Sequence, residues 1–208
     1  MGHRRAEHCE LMRTHCFGKS HLLACLVAAL LPPSIRAASD FKLFTQPLLI
    51  NSQRGEVTSY VALVDSIRFN FLPPPGWNVR ANATDKTVVF LSPDLSTTIG
   101  LKFIPNLRLN AESQLSVTNK AEILARFPGS KITQTFPCHT SGAEGTAFDL
   151  ESQVEDRPPL SIRFAVVPIE QNIVEFTLTT ETSKFAKHHW TFGNLLTSFR
   201  VDRSPLSQ

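Results

Sequence analysis

Large apolar side chains alternate with polar ones at 67–71, where Ile67, Phe69 and Phe71 are separated by Arg68 and Asn70. A period of two puts all three on one face, which predicts a strand with one buried side. Pro73-Pro74-Pro75-Gly76 stops it. The runs 88–91 and 98–104 predict two further strands either side of the turn-forming Ser92-Pro93-Asp94, and Pro105-Asn106 closes the second. The period then changes. Val117, Ala121 and Leu124 fall at i, i+4 and i+7, and Leu115, Ile123 and Phe127 widen the stripe, so a helix is predicted that ends at Pro128-Gly129.

A second series of strands follows, carried by Phe148 and Leu150, then Leu160, Ile162, Phe164 and Val166, then Val174, Phe176 and Leu178. The segments 155–159 and 170–172 are their turns. The last element begins at Thr182 or Ser183, both good N-caps, and carries Phe185, His189, Phe192, Leu196 and Phe199 at spacings of four, three, four and three. That rhythm predicts an amphipathic helix with His189 on its apolar stripe. Glu181 near its start and Arg200 near its end complement the helix dipole. Strands, helix, strands, helix is the order of an α+β fold: an αβα sandwich with a mostly antiparallel central sheet, one middle helix and one C-terminal helix.

Ahead of these elements, 22–31 is an uncharged, mostly aliphatic run preceded by Lys19 and followed by Pro32-Pro33 and Ile35-Arg36-Ala37-Ala38. A basic, an apolar and a small-residue region in that order describe an export signal, with cleavage expected near Ala37 or Ala38. Ten helical residues rise only about 15 Å, half of a bilayer core, so no stable membrane span is expected. Leu22-Leu23-Ala24-Cys25 has the form of a lipoprotein site, but the apolar run follows the cysteine instead of preceding it. Arg4-Arg5 is followed by Ala6-Glu7-His8, not by the apolar pair of a twin-arginine signal, and a start at Met12 would remove both arginines. The expected organisation is a signal peptide over 1–38, an N-terminal extension over 39–59, the α+β domain over 60–201 and a tail over 202–208.

The leader changes the charge balance. The chain carries a formal +3, but Arg4, Arg5, Arg13, Lys19 and Arg36 lie in the leader against only Glu7 and Glu10. What remains has 16 basic and 16 acidic residues, so it lacks the positive field that draws proteins to nucleic acid. Three of the four cysteines are also in the leader, leaving Cys138 without an internal disulfide partner and expected to be buried as a small hydrophobe.

Phe69-Asn70-Phe71-Leu72-Pro73-Pro74-Pro75-Gly76-Trp77, together with the closing Leu195-Leu196-Thr197-Ser198-Phe199-Arg200-Val201, resembles the PsbP-like group, which includes photosystem II PsbP and bacterial DcrB-like proteins. The resemblance spans about Tyr60 to Val201. It implies an αβα sandwich in an exported accessory or assembly factor. Only the corner at Pro75, Gly76 and Trp77 and the closing Ser198-Phe199 carry over residue by residue, with Trp77 expected to supply a large buried area. The leader differs from a chloroplast transit peptide, so a photosystem role does not transfer.

Chemistry-bearing patterns are sparse. The sequence contains no Gly-x-Ser-x-Gly elbow, no His-Glu-x-x-His, no phosphate-cradling glycine loop and no Cys-x-x-Cys. Cys138-His139 and His188-His189 offer thiolate and imidazole to zinc or copper if a strand end meets the last helix. Adjacent helical residues point about 100° apart, which argues against His188 and His189 sharing one ion. Glu151, Glu155 and Asp156 match no calcium-loop spacing and read as a solvated hairpin tip. Asn82-Ala83-Thr84 fits a glycosylation acceptor in a eukaryotic source. No catalytic, cofactor-binding or metal residue is assigned, and no cofactor is expected. The expected function is that of a non-catalytic, extracytoplasmic accessory or protein-docking domain whose partner is another envelope protein or complex. An exported enzyme with an unrecognised site and a metal-binding periplasmic protein are its rivals.

Overall fold

The structure, a computed structural model, describes residues 40–51, 55–105, 119–153 and 158–202. The leader over 1–38 therefore lies outside the described residues, as do Leu115, Val117 and most of the tail. Described residues form eleven strands: β1 (Phe41–Asn51), β2 (Gly55–Val64), β3 (Ile67–Phe71), β4 (Asn78–Asn82), β5 (Thr87–Leu91), β6 (Thr97–Pro105), β7 (Ser130–His139), β8 (Glu144–Ser152), β9 (Leu160–Ile169), β10 (Asn172–Glu181) and β11 (Arg200–Asp202). Helix α1 (Lys120–Arg126) falls between β6 and β7. A single 3-10 turn at Thr182–Lys184 leads into α2 (Phe185–Ser198). The fold is α+β with a middle and a C-terminal helix, and the described strand pairs are antiparallel.

The strands divide between two sheets instead of forming the single central sheet expected. One runs β1-β2-β3-β11 and the other β4-β5-β6-β10-β9-β8-β7. The expected domain start at Tyr60 falls inside β2, and the stretch before it supplies β1. On the outer side of the smaller sheet, Arg68 reaches from β3 to the Gln46 side chain on β1, at 3.2 Å, and lies over the Phe44 ring. That reach crosses β2, where Val61 is fully buried.

Alternation sorts the larger sheet into two faces. Ile99, Leu101 and Phe103 of β6 and Val174, Phe176 and Leu178 of β10 share a core with Phe69 and Phe71 of the smaller sheet and with Phe192, Leu195 and Leu196 of α2. The opposite face carries Leu150, Ile162, Phe164 and Val166 under Ile123 of α1. Asn119 caps α1 by accepting from the Ala121 amide, as an N-cap asparagine should. Its inward residue is Ile123, while Ala121 and Leu124 are exposed, so the stripe read through 121 and 124 is rotated. Arg126, at the helix end, pairs with Glu175, a buried carboxylate on that same face. A buried charge left alone is costly, so this pair helps to fix α1 on the sheet.

Helix α2 carries the chain from the larger sheet to the smaller one, and Phe199 marks the crossing. Its ring lies within 5.1–6.2 Å of those of Phe69, Phe71, Phe103 and Phe176. The Ser198 hydroxyl donates to the Leu195 carbonyl and accepts from the Leu72 amide, tying the helix end to the segment after β3. Ser198-Phe199 is thus a structural corner. At the other end, neither Thr182 nor Ser183 caps α2. Thr182 turns to β9, donating its amide and hydroxyl to the Pro159 carbonyl, and the helix starts only at Phe185. No acidic residue occupies the first turn and no basic one the last, so Glu181 and Arg200 fall outside the range where they would complement the dipole.

Candidate functional site

Three segments meet at the start of α2. The first is the corner after β3, where the Trp77 amide donates to the Pro74 carbonyl at 3.2 Å and Gly76 takes a φ of 75°. Proline at the second position and a left-handed glycine at the third make a type II turn, which is why the sequence needs Pro75-Gly76 there. The second is the β5–β6 turn. Ser92 donates its hydroxyl to Asp94 at 2.6 Å and accepts from the Thr97 amide at 3.0 Å. Asp94 also accepts from the Ser96 amide and hydroxyl. These bonds, first of all the one from Ser92, hold the Asp94 carboxyl well below its ordinary range. The third segment is the first two turns of α2, with Lys187, His188 and Thr191.

Together they line a cleft of about 340 Å³ whose walls are Trp77, Ser92, Pro93, Asp94, Lys187, His188 and Thr191. His188 is 5% exposed and packs edge-on against Trp77, with ring centroids 5.6 Å apart. Its Nε2 is buried without a hydrogen bond, and burial is the main cause that lowers the imidazole pKa. The ring is therefore held neutral, and one of its polar atoms has no partner. Large apolar groups stand directly beside the lining residues: Trp190 on α2 is 70% exposed and Leu95 at the turn tip 68%. Leu95 also adopts a φ of 56°, a left-handed conformation that costs a residue with a Cβ about 1–2 kcal/mol.

Several expectations for this region are corrected. The inward imidazole is His188, because the buried stripe runs through His188, Phe192, Leu195 and Leu196. His189 turns aside, its Nδ1 2.9 Å from the Ala186 carbonyl and its ring beside Phe185 and Trp190. Trp77 is half-buried, not enclosed. Cys138 is buried as expected, and burial pushes its thiol up to about 11. Neighbouring His139 points outward, 3.8 Å from Glu144. Among the described residues no three His, Cys, Asp or Glu side chains come together to hold a metal ion, so Cys138, His139, His188 and His189 do not form the ligand group considered above. Asn82, the last residue of β4, is exposed and accepts from the Thr84 and Asp85 amides of the turn that follows. Glu155 and Asp156 lie outside the described residues. Trp190 and Leu95 were not singled out in the sequence, although a tryptophan on the polar side of an amphipathic helix is a signal that can be read.

Ser92, His188 and Asp94 are the residue types of a hydrolytic triad, and all three line the cleft. Their connections are different. A nucleophilic serine gives its proton to imidazole and the carboxylate orients that imidazole, whereas here the Ser92 hydroxyl donates straight to Asp94. The carboxylate shapes a turn. A larger cleft of about 570 Å³, lined by residues including Thr140, Gly142, Glu170 and Arg200, carries no buried polar atom without a hydrogen bond.

No protein-family model matches the chain. No curated protein matches it significantly. Among solved structures it is similar to the cyanobacterial PsbP (CyanoP) of Synechocystis, at 14% identity and a TM-score of 0.48, with 81% of this chain and 96% of that one covered. It is also similar to the Ran-binding protein Mog1p of Saccharomyces cerevisiae, at 10% identity and a TM-score of 0.42, covering 76% and 96%. LpqN, involved in cell envelope biogenesis of Mycobacterium tuberculosis, is similar at 8% identity and a TM-score of 0.43, covering 76% and 91%. No helix of the described residues is long and apolar enough to cross a membrane.

Proposed function

We propose that this chain is a non-catalytic accessory domain that works outside the cytoplasm and docks on another protein through the cleft and its rim. One observation carries the reading: Leu95, strained and 68% exposed, stands on a turn made rigid by Ser92, Asp94 and Ser96, next in sequence to the cleft-lining Asp94, and the 70% exposed Trp190 is next in sequence to the cleft-lining Thr191. Exposing a large apolar side chain and holding it left-handed are two separate costs, and neither helps the fold. Rigid aromatic and aliphatic anchors are what interface centres use. The basic, apolar and small-residue order of the leader supports the location.

An acid–base enzyme is the second reading, favoured by the neutral imidazole on the cleft. The Ser92–Asp94 bond opposes it, because that bond occupies both groups a hydrolytic site would need. The docking reading is tested by placing a photo-cross-linking amino acid at position 187, exposed on the cleft wall, of the full chain in its native cells. A discrete adduct that disappears with Leu95→Glu is expected. Absence of any adduct refutes docking through this face.

A further inference from the structure

We propose that the first two turns of α2 are an acid-sensitive latch: gain of a proton by His188 loosens their hold on the Trp77 corner while the rest of the fold stays closed. His188 is the sole buried side chain of α2 before Phe192. Ala186, Lys187 and Trp190 around it are exposed, and Phe185 is half-buried against Arg163. No side chain caps the helix start. One imidazole, edge-on to Trp77 with ring centroids 5.6 Å apart, is therefore the deepest hold of this half of the helix on the body.

That hold depends on the charge of the ring. His188 is 5% exposed and its Nε2 has no partner, which a neutral imidazole tolerates and an imidazolium does not, because a buried cation costs far more than a buried neutral nitrogen. It is also the fourth residue of α2, close to the end where the helix dipole disfavours a cation. Lys187 on the helix and Lys184 on the turn leading into it oppose protonation, whereas Asp94 on the β5–β6 turn favours it. Lys184 itself lies 3.9 Å from Asp94 and 3.4 Å from Glu181. The corner over 72–78 carries no charged residue, and His189 turns aside with its Nδ1 on the Ala186 carbonyl. Burial outweighs Asp94, so the enclosed ring holds its proton less firmly than a free one.

A place for the charged ring adjoins the buried one. Asp94 lines the same cleft, and its carboxyl, held well below its ordinary range, stays ionised in mild acid. Turning outward takes the imidazolium from a site without a partner to one that offers a carboxylate and water. The turns that move are bounded at both ends, because Thr182 is tied to the Pro159 carbonyl and Phe192 enters the core. Lys187 and Trp190 lie on them, so the surface assigned to docking is set at neutral pH and loosened in acid, a consequence that rests on the docking reading.

Native-state hydrogen exchange on the full chain tests the latch. An exposed imidazole titrates at about 6.5 and the enclosed one lower, so proton uptake favours the open form below about pH 6.5. Protection of the amides of 189–192, corrected for intrinsic rates, should fall by up to about tenfold per pH unit over that interval, as one coupled proton requires. It should also stay below the protection of β10 at every pH, since a local opening is easier than unfolding. His188→Phe and His188→Leu should each remove the pH dependence, and His189→Phe should keep it. Protection at 189–192 that ignores pH, a decline that persists in whichever His188 variant folds, or protection equal to that of β10 throughout would each overturn the latch. The exchange needs no partner: its failure leaves the adduct from position 187 standing, whereas absence of that adduct removes docking and leaves the latch.

Discussion

From Phe192 onward α2 is enclosed: Phe192, Leu195, Leu196 and the Phe199 that follows are buried among the phenylalanines of both sheets. Its first seven residues are treated differently. Phe185 is half-buried against Arg163, Trp190 projects outward, and the most buried side chain is a histidine with an unmet nitrogen. One helix thus joins the fold at its C-terminal half and shapes an opening at its N-terminal half. Packing energy is concentrated where the chain changes sheets, and exposed apolar area and unsatisfied polarity are concentrated half a helix away. Such a division lets a surface carry costs for recognition, because the fold is secured elsewhere.

Phe199→Ala should break the enclosed half most severely. Losing a ring that touches four others costs about 3–5 kcal/mol, which at roughly 2–4 °C per kcal/mol for a domain of this size lowers Tm by about 6–20 °C in calorimetry. A drop under about 3 °C would show the corner to be dispensable. Trp77→Ala, at the opening, should cost about 2 kcal/mol, since a half-buried ring loses less area than an enclosed one. A loss as large as that of Phe199→Ala would erase the contrast between the halves.

His188 gives the contrast a pH dependence. Burial depresses its folded pKa below the unfolded value of about 6.5, so the folded state binds fewer protons than the unfolded one in that range. The contribution is therefore present above about pH 6.5 and is lost as the pH falls through the folded pKa. Urea titrations between pH 7.5 and 5 should show declining stability that His188→Phe flattens. An equal decline in the variant would assign the effect to another group. The smallest effect belongs to the rim: Trp190→Ala should change stability by less than about 0.5 kcal/mol, and Leu95→Gly by a similar amount, because relief of the left-handed strain offsets glycine's extra freedom when unfolded. Both should abolish the partner adduct formed from position 187.

How much of this was legible follows from how the strands are buried. Strands β3, β5, β6, β9 and β10 alternate or run apolar because at least one face is covered, and the period of two reports them directly. Strand β4, Asn-Val-Arg-Ala-Asn at a sheet edge, is almost wholly exposed and has no such signature. Strand β7 is also an edge, and the register shift between Ile132 and Gln134 breaks its alternation. Alternation identifies a strand but not its sheet, so two sheets read as one and β1 read as an extension. The site was hidden for a related reason. A helical stripe through Phe185, Phe192 and Phe199 accepts either position 188 or 189 between its first two members, and only packing against Trp77 selects His188. Nothing in the spacing of Ser92, Asp94 and Ser96 announces that their hydroxyls and carboxylate close on one another.

Trp77 and Trp190 are the chain's only tryptophans, one on the wall of the cleft and the other beside it. Intrinsic indole emission is accordingly a local signal here: it reports the start of α2 and is silent about the paired sheets, which far-ultraviolet dichroism reports instead. If that end of the helix loosens before the body of the protein, the two optical transitions will separate on heating, with emission leading. The molecule thus carries a built-in reporter at the surface assigned to recognition, and occupation of the cleft should be visible without any added label.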